Sequence, residues 1–235
     1  MNNSIYVEEK IHRHNIEKYF NQIKGNNLLS EVERESANEI LQQLKKTCKI
    51  RSVSKIYTPP ALRIMKGELI IDETKVQGKL FEQDYFHGII SILVFLITIN
   101  ETENNGISDR VQEKEYNLLN HYYETMWKYA ALQEHRDRII AEYKIQNSKG
   151  VFTPSLGPGY YGIELIENKK IYELLNGKEL GIVLNGKNQF IPENTVCGFI
   201  IGMESMKGEC EEIFNNPCRY CAATKKACGF CGIVR

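Results

Sequence analysis

The sequence has little that would direct it to nucleic acid or to acid–base chemistry. Lys and Arg number 30, as do Asp and Glu, so the formal net charge at pH 7 is zero. A balanced charge argues against a protein that binds nucleic acid along its whole length. The five histidines are scattered. No general acid–base pair, no nucleophile–histidine arrangement and no Walker-type phosphate loop is visible.

Segments for export or membrane insertion are also missing. Residues 1–10 contain neither a basic n-region nor an apolar h-region, so no secretory signal is visible. The most apolar run, residues 88–99, is shorter than the ~20 residues that a membrane-spanning helix needs. We therefore expect a cytoplasmic protein whose partners include neither a membrane nor nucleic acid.

The composition is that of an ordinary globular protein. The chain has 235 residues, of which 42% are hydrophobic and 26% are charged. This length allows one large domain or two small ones, each with its own core. No internal repeat and no low-complexity linker interrupts the sequence.

Four stretches are predicted to be helical, three of them before residue 145 and the fourth over residues 163–175. Residues 5–24 have a loosely helical spacing of apolar side chains. Ser30 and Glu33 match a capping box, which predicts a helix that runs to about Lys46. A third helical pattern covers residues 109–144, with aromatic side chains on one face. The apolar residues that the second helix should bury are Val32, Ala37, Ile40, Leu41 and Leu44.

Short extended segments alternate with these helices. Residues 87–100 are uncharged and rich in β-branched side chains, which predicts a strand buried on both faces in the middle of a sheet. Asn185-Gly186 predicts a hairpin turn. Because no regular βαβ order is present, we expect an α+β fold with a twisted, largely antiparallel sheet flanked by helices. The other predicted strands are residues 50–57, 69–71, 79–81, 180–184, 189–192 and 195–202.

A glycine- and tyrosine-rich segment, residues 155–161, is the candidate binding site. Gly157 and Gly159 permit a sharp turn and the close approach of another molecule. Tyr160 and Tyr161 offer flat faces that suit stacking on adenine or contact with a cation. A turn that opens into a helix would also present N–H groups to an anion. The alternative is a surface turn with two tyrosines packed on the core.

The C-terminus predicts a metal site. Seven cysteines without an export signal indicate metal chemistry rather than disulfides, and five of them lie between residues 210 and 231. Two CxxC pairs can hold one metal tetrahedrally. Five thiolates exceed the four that one zinc or one cluster needs, so zinc and an iron–sulfur cluster both stay open. The candidate ligands are Cys210, Cys218, Cys221, Cys228 and Cys231, whereas Cys48 and Cys197 are interpreted as buried core thiols.

The order of these features resembles a known family. A long helix leads to Ser-x-Gly-Pro-Gly-Tyr, and a helix, a strand and Ile-Pro-Glu-Asn-Thr-Val-Cys-Gly follow. This order resembles the activation, or S-adenosylmethionine-binding, domain of cobalamin-dependent methionine synthase. It is most similar to short stand-alone relatives in anaerobic bacteria that end in a cysteine cluster. The resemblance covers residues 5–205 and predicts a domain over 1–205 followed by a cysteine-rich tail over 206–235.

The resemblance implies a role in reactivating an oxidised corrinoid. In that family, S-adenosylmethionine and one electron restore methylcobalamin, so the implied partners are a corrinoid protein or cobalamin-dependent methyltransferase and an electron donor. The resemblance implies that Gly157, Gly159 and Tyr160 contact S-adenosylmethionine, with Tyr161 beside them. It also implies an acidic residue on the long helix, for which Glu124 is the candidate. Cobalamin itself would belong to the partner.

One departure from the family keeps other functions open. The family has an arginine for the methionine carboxylate at a position near Ser155, and this sequence has none there. A second hypothesis is therefore a non-enzymatic binding module, with a decayed cofactor site and a structural zinc in the tail. A third is a redox enzyme that uses the CxxC pairs as dithiols, although no thioredoxin-like βαβ pattern surrounds them. Whether the chain is itself an enzyme stays open.

Overall fold

The computed structural model describes residues 4–11, 13–24, 29–101, 118–205 and residue 214. These residues form an α+β fold, which confirms the predicted class. Its strands are β1 (Ile5–Lys10), β2 (Cys48–Tyr57), β3 (Leu62–Met65), β4 (Glu68–Ile71), β5 (Thr74–Gln77), β6 (His87–Glu101), β7 (Val151–Phe152), β8 (Val183–Leu184), β9 (Phe190–Ile191) and β10 (Thr195–Ser205). Its α-helices are α1 (Arg13–Lys24), α2 (Glu31–Thr47), α3 (Leu118–Gln146) and α4 (Asn168–Leu174).

The main sheet has five strands in the order β1-β2-β6-β10-β7, and every neighbouring pair is antiparallel. Strand β6 is the central strand, and residues 91–99 of it are all buried. A strand covered on both faces carries a continuous apolar run rather than an alternating one. The prediction of a central buried strand over residues 87–100 is therefore confirmed.

The side chains of β6 alternate between two hydrophobic cores. Leu93, Phe95 and Ile97 face the core formed with α1, α2 and α3. The alternate residues Ile92, Val94 and Leu96 face the core beneath the β3-β4-β5 sheet, residues 156–163 and α4. Successive strand residues point to opposite faces, so one strand organises both layers of the molecule.

The predicted capping box is present at the start of α2. The backbone N–H of Ser30 donates to Glu33 Oε2 at 2.8 Å, and the N–H of Glu33 donates to Ser30 Oγ at 3.3 Å. The helix buries Ala37, Ile40, Leu41 and Leu44 as predicted, whereas Val32 is exposed. Val32 lies in the first turn, before the helix reaches the core.

The layer of α-helices is joined by aromatic contacts. Phe20 of α1 stacks on Trp127 of α3 with ring centroids 3.6 Å apart. The indole N–H of Trp127 donates to the carbonyl of Ala37 in α2 at 2.8 Å. One aromatic residue of α3 therefore contacts both other helices, and its polar atom is paired.

Several predicted boundaries are wrong. Residues 5–24 form β1 and then α1 rather than one helix, and residues 79–81 belong to the 3₁₀ turn Lys79–Glu82 rather than to a strand. Within the predicted strand 180–184, only Val183–Leu184 is a strand, and the 3₁₀ turn Gly177–Leu180 precedes it. The predicted hairpin forms between β8 and β9, closed by the N–H of Asn185 donating to the Gln189 carbonyl at 3.0 Å.

No helix among the described residues is long and apolar enough to cross a membrane. The part of the third predicted helix before Leu118 lies outside the described residues, and so do the five cysteines of the tail. The division between a domain over 1–205 and a tail over 206–235 stays a prediction.

Candidate functional site

A groove of about 430 Å³ lies between α3 and residues 155–161. Its floor includes Phe95 of β6 and the first part of β10. Helix α3 contributes Tyr129, Gln133 and Arg136 to one wall. Of the predicted site residues, Gly157, Tyr160 and Tyr161 line the opposite wall. The segment singled out from the sequence therefore borders a cavity whose size suits a small ligand.

Residues 155–161 are fixed to β10 by paired backbone hydrogen bonds. The N–H of Leu156 donates to the Phe199 carbonyl at 2.9 Å, and the N–H of Phe199 donates to the Leu156 carbonyl at 2.8 Å. A Cβ on Gly157 would lie 2.9 Å from the Cys197 carbonyl oxygen. A Cβ on Gly198 would lie 2.5 Å from the Leu156 carbonyl oxygen. Both glycines thus permit the close approach of two backbones.

The turn itself satisfies its backbone donors internally. The N–H of Gly159 donates to the Ile163 carbonyl at 2.8 Å, and the N–H of Tyr160 donates to the Gly157 carbonyl at 3.1 Å. These two N–H groups are therefore not directed at an anion, contrary to the prediction from the sequence. The turn also does not open directly into a helix, because a 3₁₀ turn (Leu165–Glu167) comes first and α4 follows it. Gly159, with a φ of 93°, supports the turn but is not among the described residues that line the groove.

The two tyrosines have different roles. Tyr160 is 57% exposed and forms part of the groove wall. Tyr161 is buried, and its hydroxyl donates to the carbonyl of Phe214 at 3.1 Å. The rings of Tyr161 and Phe214 also meet edge to face with centroids 6.2 Å apart. One tyrosine is thus largely exposed beside the groove, and the other is mainly packed on the core.

The wall formed by α3 was missed at the sequence level. Tyr129, Gln133 and Arg136 are spaced at i, i+4 and i+7, which places them on one face of the helix. They contain no motif, and only the fold shows that this face lies opposite residues 155–161. A search for helical spacing among polar as well as apolar residues would have placed these three side chains on one face.

Glu124 lies in a buried ion pair. Lys128 Nζ donates to Glu124 Oε1 at 2.6 Å and to Glu101 Oε1 at 3.0 Å. Glu124 and Lys128 are 9% and 7% exposed, so both side chains of the pair are buried. Burial opposes the Lys128 charge, but the hydrogen bonds and charges of its partners raise its pKa overall. A buried pair of this kind is costly to break from one side.

Glu124 is not among the described residues that line the groove. It precedes Gln133 by nine residues, and at ~100° per residue this places it on the opposite side of α3. The structure therefore brings Gly157, Tyr160 and Tyr161 together and does not bring Glu124 to them. Its role in ligand binding stays a prediction from the resemblance.

The two described cysteines differ in their surroundings. Cys48 is buried in the helical core, as predicted. Cys197 packs against the other core but is half-buried, because the groove reaches it. Its Sγ lies 3.4 Å from Asn168 Oδ1, and burial raises the pKa of the thiol. A raised pKa favours the neutral thiol, so Cys197 contributes a weakly polar surface to the groove.

The five predicted metal ligands lie outside the described residues, so the metal site stays a prediction. Within the part of the chain that the structure describes, no group of three or more His, Cys, Asp or Glu side chains is placed to hold a metal ion. Phe214 lies between Cys210 and Cys218 in the sequence and is itself described. It packs against Tyr161 and Phe86.

Comparison with known proteins supports the fold. The sequence matches no protein-family model and no curated protein. Among solved structures, the chain is similar to the crystal structure of the MetH reactivation domain bound to AdoHcy. The TM-score is 0.56 at 16% sequence identity, and the match covers 87% of this chain and 80% of that chain. The shared architecture is therefore the fold predicted from the order of the sequence features.

Proposed function

We propose that this chain binds S-adenosylmethionine in the groove and assists the reductive activation or methylation of a corrinoid-dependent methyltransferase. The observation that carries the proposal is the groove itself, formed where residues 155–161 meet α3. The similar MetH reactivation domain was crystallised with AdoHcy, the product that remains when S-adenosylmethionine has given up its methyl group. The groove and this similarity together support a ligand of the S-adenosylmethionine class.

The groove has the chemistry that such a ligand needs. Tyr129 and Tyr160 are 42% and 57% exposed and present aromatic faces on opposite walls. Aromatic faces stack on an adenine and attract a sulfonium cation. The polar side chains of Asn168 and Thr195 also line the groove, where Asn168 Nδ2 donates to the Asn188 carbonyl at 2.9 Å and Thr195 Oγ1 donates to the Pro192 carbonyl at 2.7 Å. A mostly apolar cavity with a few polar groups is typical of a cofactor site.

The chain would position reactants rather than catalyse by acid–base chemistry. Methyl transfer from the sulfonium to a cobalt reduced by one electron yields methylcobalamin and S-adenosylhomocysteine. The electron would come from a separate donor, and the corrinoid would come with the partner protein. In such a reaction the cofactors carry the chemistry, and the protein supplies binding and orientation.

The cysteine tail would add a metal centre close to the groove. Phe214 is anchored on Tyr161, a residue of the groove wall. Cys210 and Cys218 each lie four residues from Phe214. Four residues span at most ~14 Å when fully extended. A centre that includes either thiolate would therefore lie near the groove, where an iron–sulfur cluster would suit electron delivery.

A non-enzymatic binding module remains the second candidate. It is favoured by the lack of an arginine near Ser155, where the resemblance implies one. It is also favoured by the turn, in which the N–H groups of Gly159 and Tyr160 are satisfied internally. In this alternative, the groove no longer holds S-adenosylmethionine and the tail binds zinc as a structural element.

Calorimetric titration of the anaerobically purified chain with S-adenosylmethionine separates the two candidates. We expect saturable binding to the native chain. Tyr160→Ala should weaken it ~5- to 100-fold, because stacking of one base on an aromatic ring contributes on that order. Tyr122→Ala is the matched control, since Tyr122 is 50% exposed, close to the 57% of Tyr160, and does not line the groove. No binding at millimolar ligand would reject the first candidate.

Metal and acid-labile sulfide analysis tests the tail independently of the groove. Iron with sulfide and a visible absorption spectrum, both lost in Cys218→Ser and Cys221→Ser, would support the reactivation function. Zinc without sulfide would make the tail a structural element and favour the binding module.

A further inference from the structure

Arg136 is the charged side chain of the groove. Among the described residues that line it, Arg136 is the one side chain with a permanent charge, and no Asp, Glu or Lys accompanies it. The remaining lining groups are aromatic or apolar side chains, amides, hydroxyls and the Cys197 thiol. Because Asp137 pairs with Arg136, Arg136 offers an anionic group of a ligand directional N–H donors rather than an unopposed charge.

The guanidinium of Arg136 is held in a fixed orientation. Asp137 Oδ1 accepts hydrogen bonds from Nε at 3.1 Å and from Nη2 at 2.9 Å. Asp137 Oδ2 in turn accepts from the Tyr19 hydroxyl at 3.0 Å. Asp137 lines a neighbouring cavity of about 340 Å³ and is not among the described residues that line the groove. Arg136 is thus oriented before any ligand binds.

Three N–H bonds of the guanidinium remain after the pairing with Asp137. A guanidinium has five N–H donors, and two are used by Asp137. The remaining three include the pair on Nη1 and Nη2 that forms the end of the fork. This end can hold a carboxylate through two parallel hydrogen bonds. Ser155 lines both the groove and the neighbouring cavity, as Arg136 does, so its hydroxyl is a second donor on the facing segment.

We propose that Arg136 binds the carboxylate of the amino-acid moiety of the groove's ligand, and so makes the groove selective for ligands that carry this group. The inference rests on the proposed function, because it assigns an orientation to S-adenosylmethionine: the carboxylate lies at Arg136 and Ser155, and the adenosyl group extends toward Tyr160. The carboxylate-binding residue would thus come from α3, although residues 155–161 lack an arginine.

The test is a cycle of two ligands and two proteins. Binding of S-adenosylmethionine and of its decarboxylated analogue, which retains the amine and the sulfonium, is measured on the native chain and on Arg136→Gln. We expect the native chain to prefer S-adenosylmethionine ~10- to 100-fold, the range for hydrogen bonds to a charged group. Arg136→Gln should lose this preference by weakening the binding of S-adenosylmethionine alone. Arg136→Lys should retain part of it, because it keeps the charge without the fork.

The outcomes distinguish this inference from the function on which it rests. Equal affinity of the native chain for both ligands would overturn the role of Arg136 and leave the proposed function standing. Equal weakening of both ligands in Arg136→Gln would show that Arg136 only supports the groove. Failure of the native chain to bind either ligand would reject both. Arg63→Gln, an exposed arginine on β3, is the matched control and should change neither affinity.

Discussion

At the scale of single residues, the contact between residues 155–161 and β10 depends on the absence of two side chains. A Cβ on Gly157 would meet the Cys197 carbonyl oxygen at 2.9 Å, and backbone atoms cannot move aside as a flexible side chain does. We expect Gly157→Ala to lower the free energy of unfolding by ~1–3 kcal/mol, the usual cost of overpacking. Chemical denaturation followed by circular dichroism measures this change.

Gly186→Ala is the matched control for this prediction. Gly186 is exposed in the β8–β9 hairpin, and a Cβ there would meet nothing within 4 Å. Its free energy of unfolding should change by less than ~0.5 kcal/mol. Equal stability of Gly157→Ala and Gly186→Ala would contradict the close backbone contact. Gly198→Ala should be at least as destabilising as Gly157→Ala, because its Cβ would lie 2.5 Å from the Leu156 carbonyl oxygen.

The sequence pattern predicted the groove wall formed by residues 155–161 and not the wall formed by α3. Gly157 and Tyr160 stand in a short motif whose turn chemistry is local, so the sequence alone indicated them. Arg136 stands in a long helix, and nothing local distinguishes it from Arg138 two residues later. Only the packing of α3 across the sheet shows which arginine faces the groove. Non-local packing of this kind cannot be read from the spacing of one segment.

At the scale of elements, the capping box at the start of α2 is the clearest local determinant. The Ser30 hydroxyl accepts from the N–H of Glu33, one of the helix N–H groups that has no partner within the helix. Ser30→Ala should reduce the free energy of unfolding by ~0.5–2 kcal/mol. Thermal and urea denaturation at neutral pH measure the loss.

Ser36→Ala is the control within the same helix. Ser36 lies in the interior of α2, where alanine has a higher helix propensity than serine. This variant should be as stable as the native chain or slightly more stable. If both serine variants lose the same stability, the effect belongs to α2 in general and the capping explanation fails.

The periodicity of the sequence led to a wrong prediction where an element depends on pairing with a distant segment. Strand β1 was predicted as part of a helix, but its residues pair with β2, from Ile5 opposite Ser54 to Lys10 opposite Lys49. That pairing joins segments more than 35 residues apart, so tertiary contact overrides a weak local preference. The helix α2 and the strand β6 were predicted correctly because a cap or a continuous apolar run defines each of them locally.

At the scale of the whole molecule, a buried polar cluster joins the sheet to α3. His135 is 1% exposed, and its Nδ1 lies 2.7 Å from Glu9 Oε1 of β1. Its Nε2 lies 2.8 Å from Ser52 Oγ of β2. Arg138 contacts the same Glu9 carboxylate and Glu134, and the charge of Glu142 also acts on His135. The edge strand, its neighbour and the longest described helix therefore meet at one imidazole.

This cluster predicts a loss of stability on mild acidification. Burial lowers the pKa of His135, although Glu9 opposes the shift. The unfolded chain therefore binds this proton at a higher pH than the folded chain, so the stabilising contribution is present above about pH 6.5 and is lost as the pH falls.

The free energy of unfolding should decline from pH 7.5 to 5.5 less steeply in His135→Gln than in the native chain. The difference cannot exceed ~1.4 kcal/mol per pH unit, because one proton is involved. If the free energy of unfolding depends on pH in the same way in the native chain and in His135→Gln, the buried imidazole does not make the stability of the fold depend on pH.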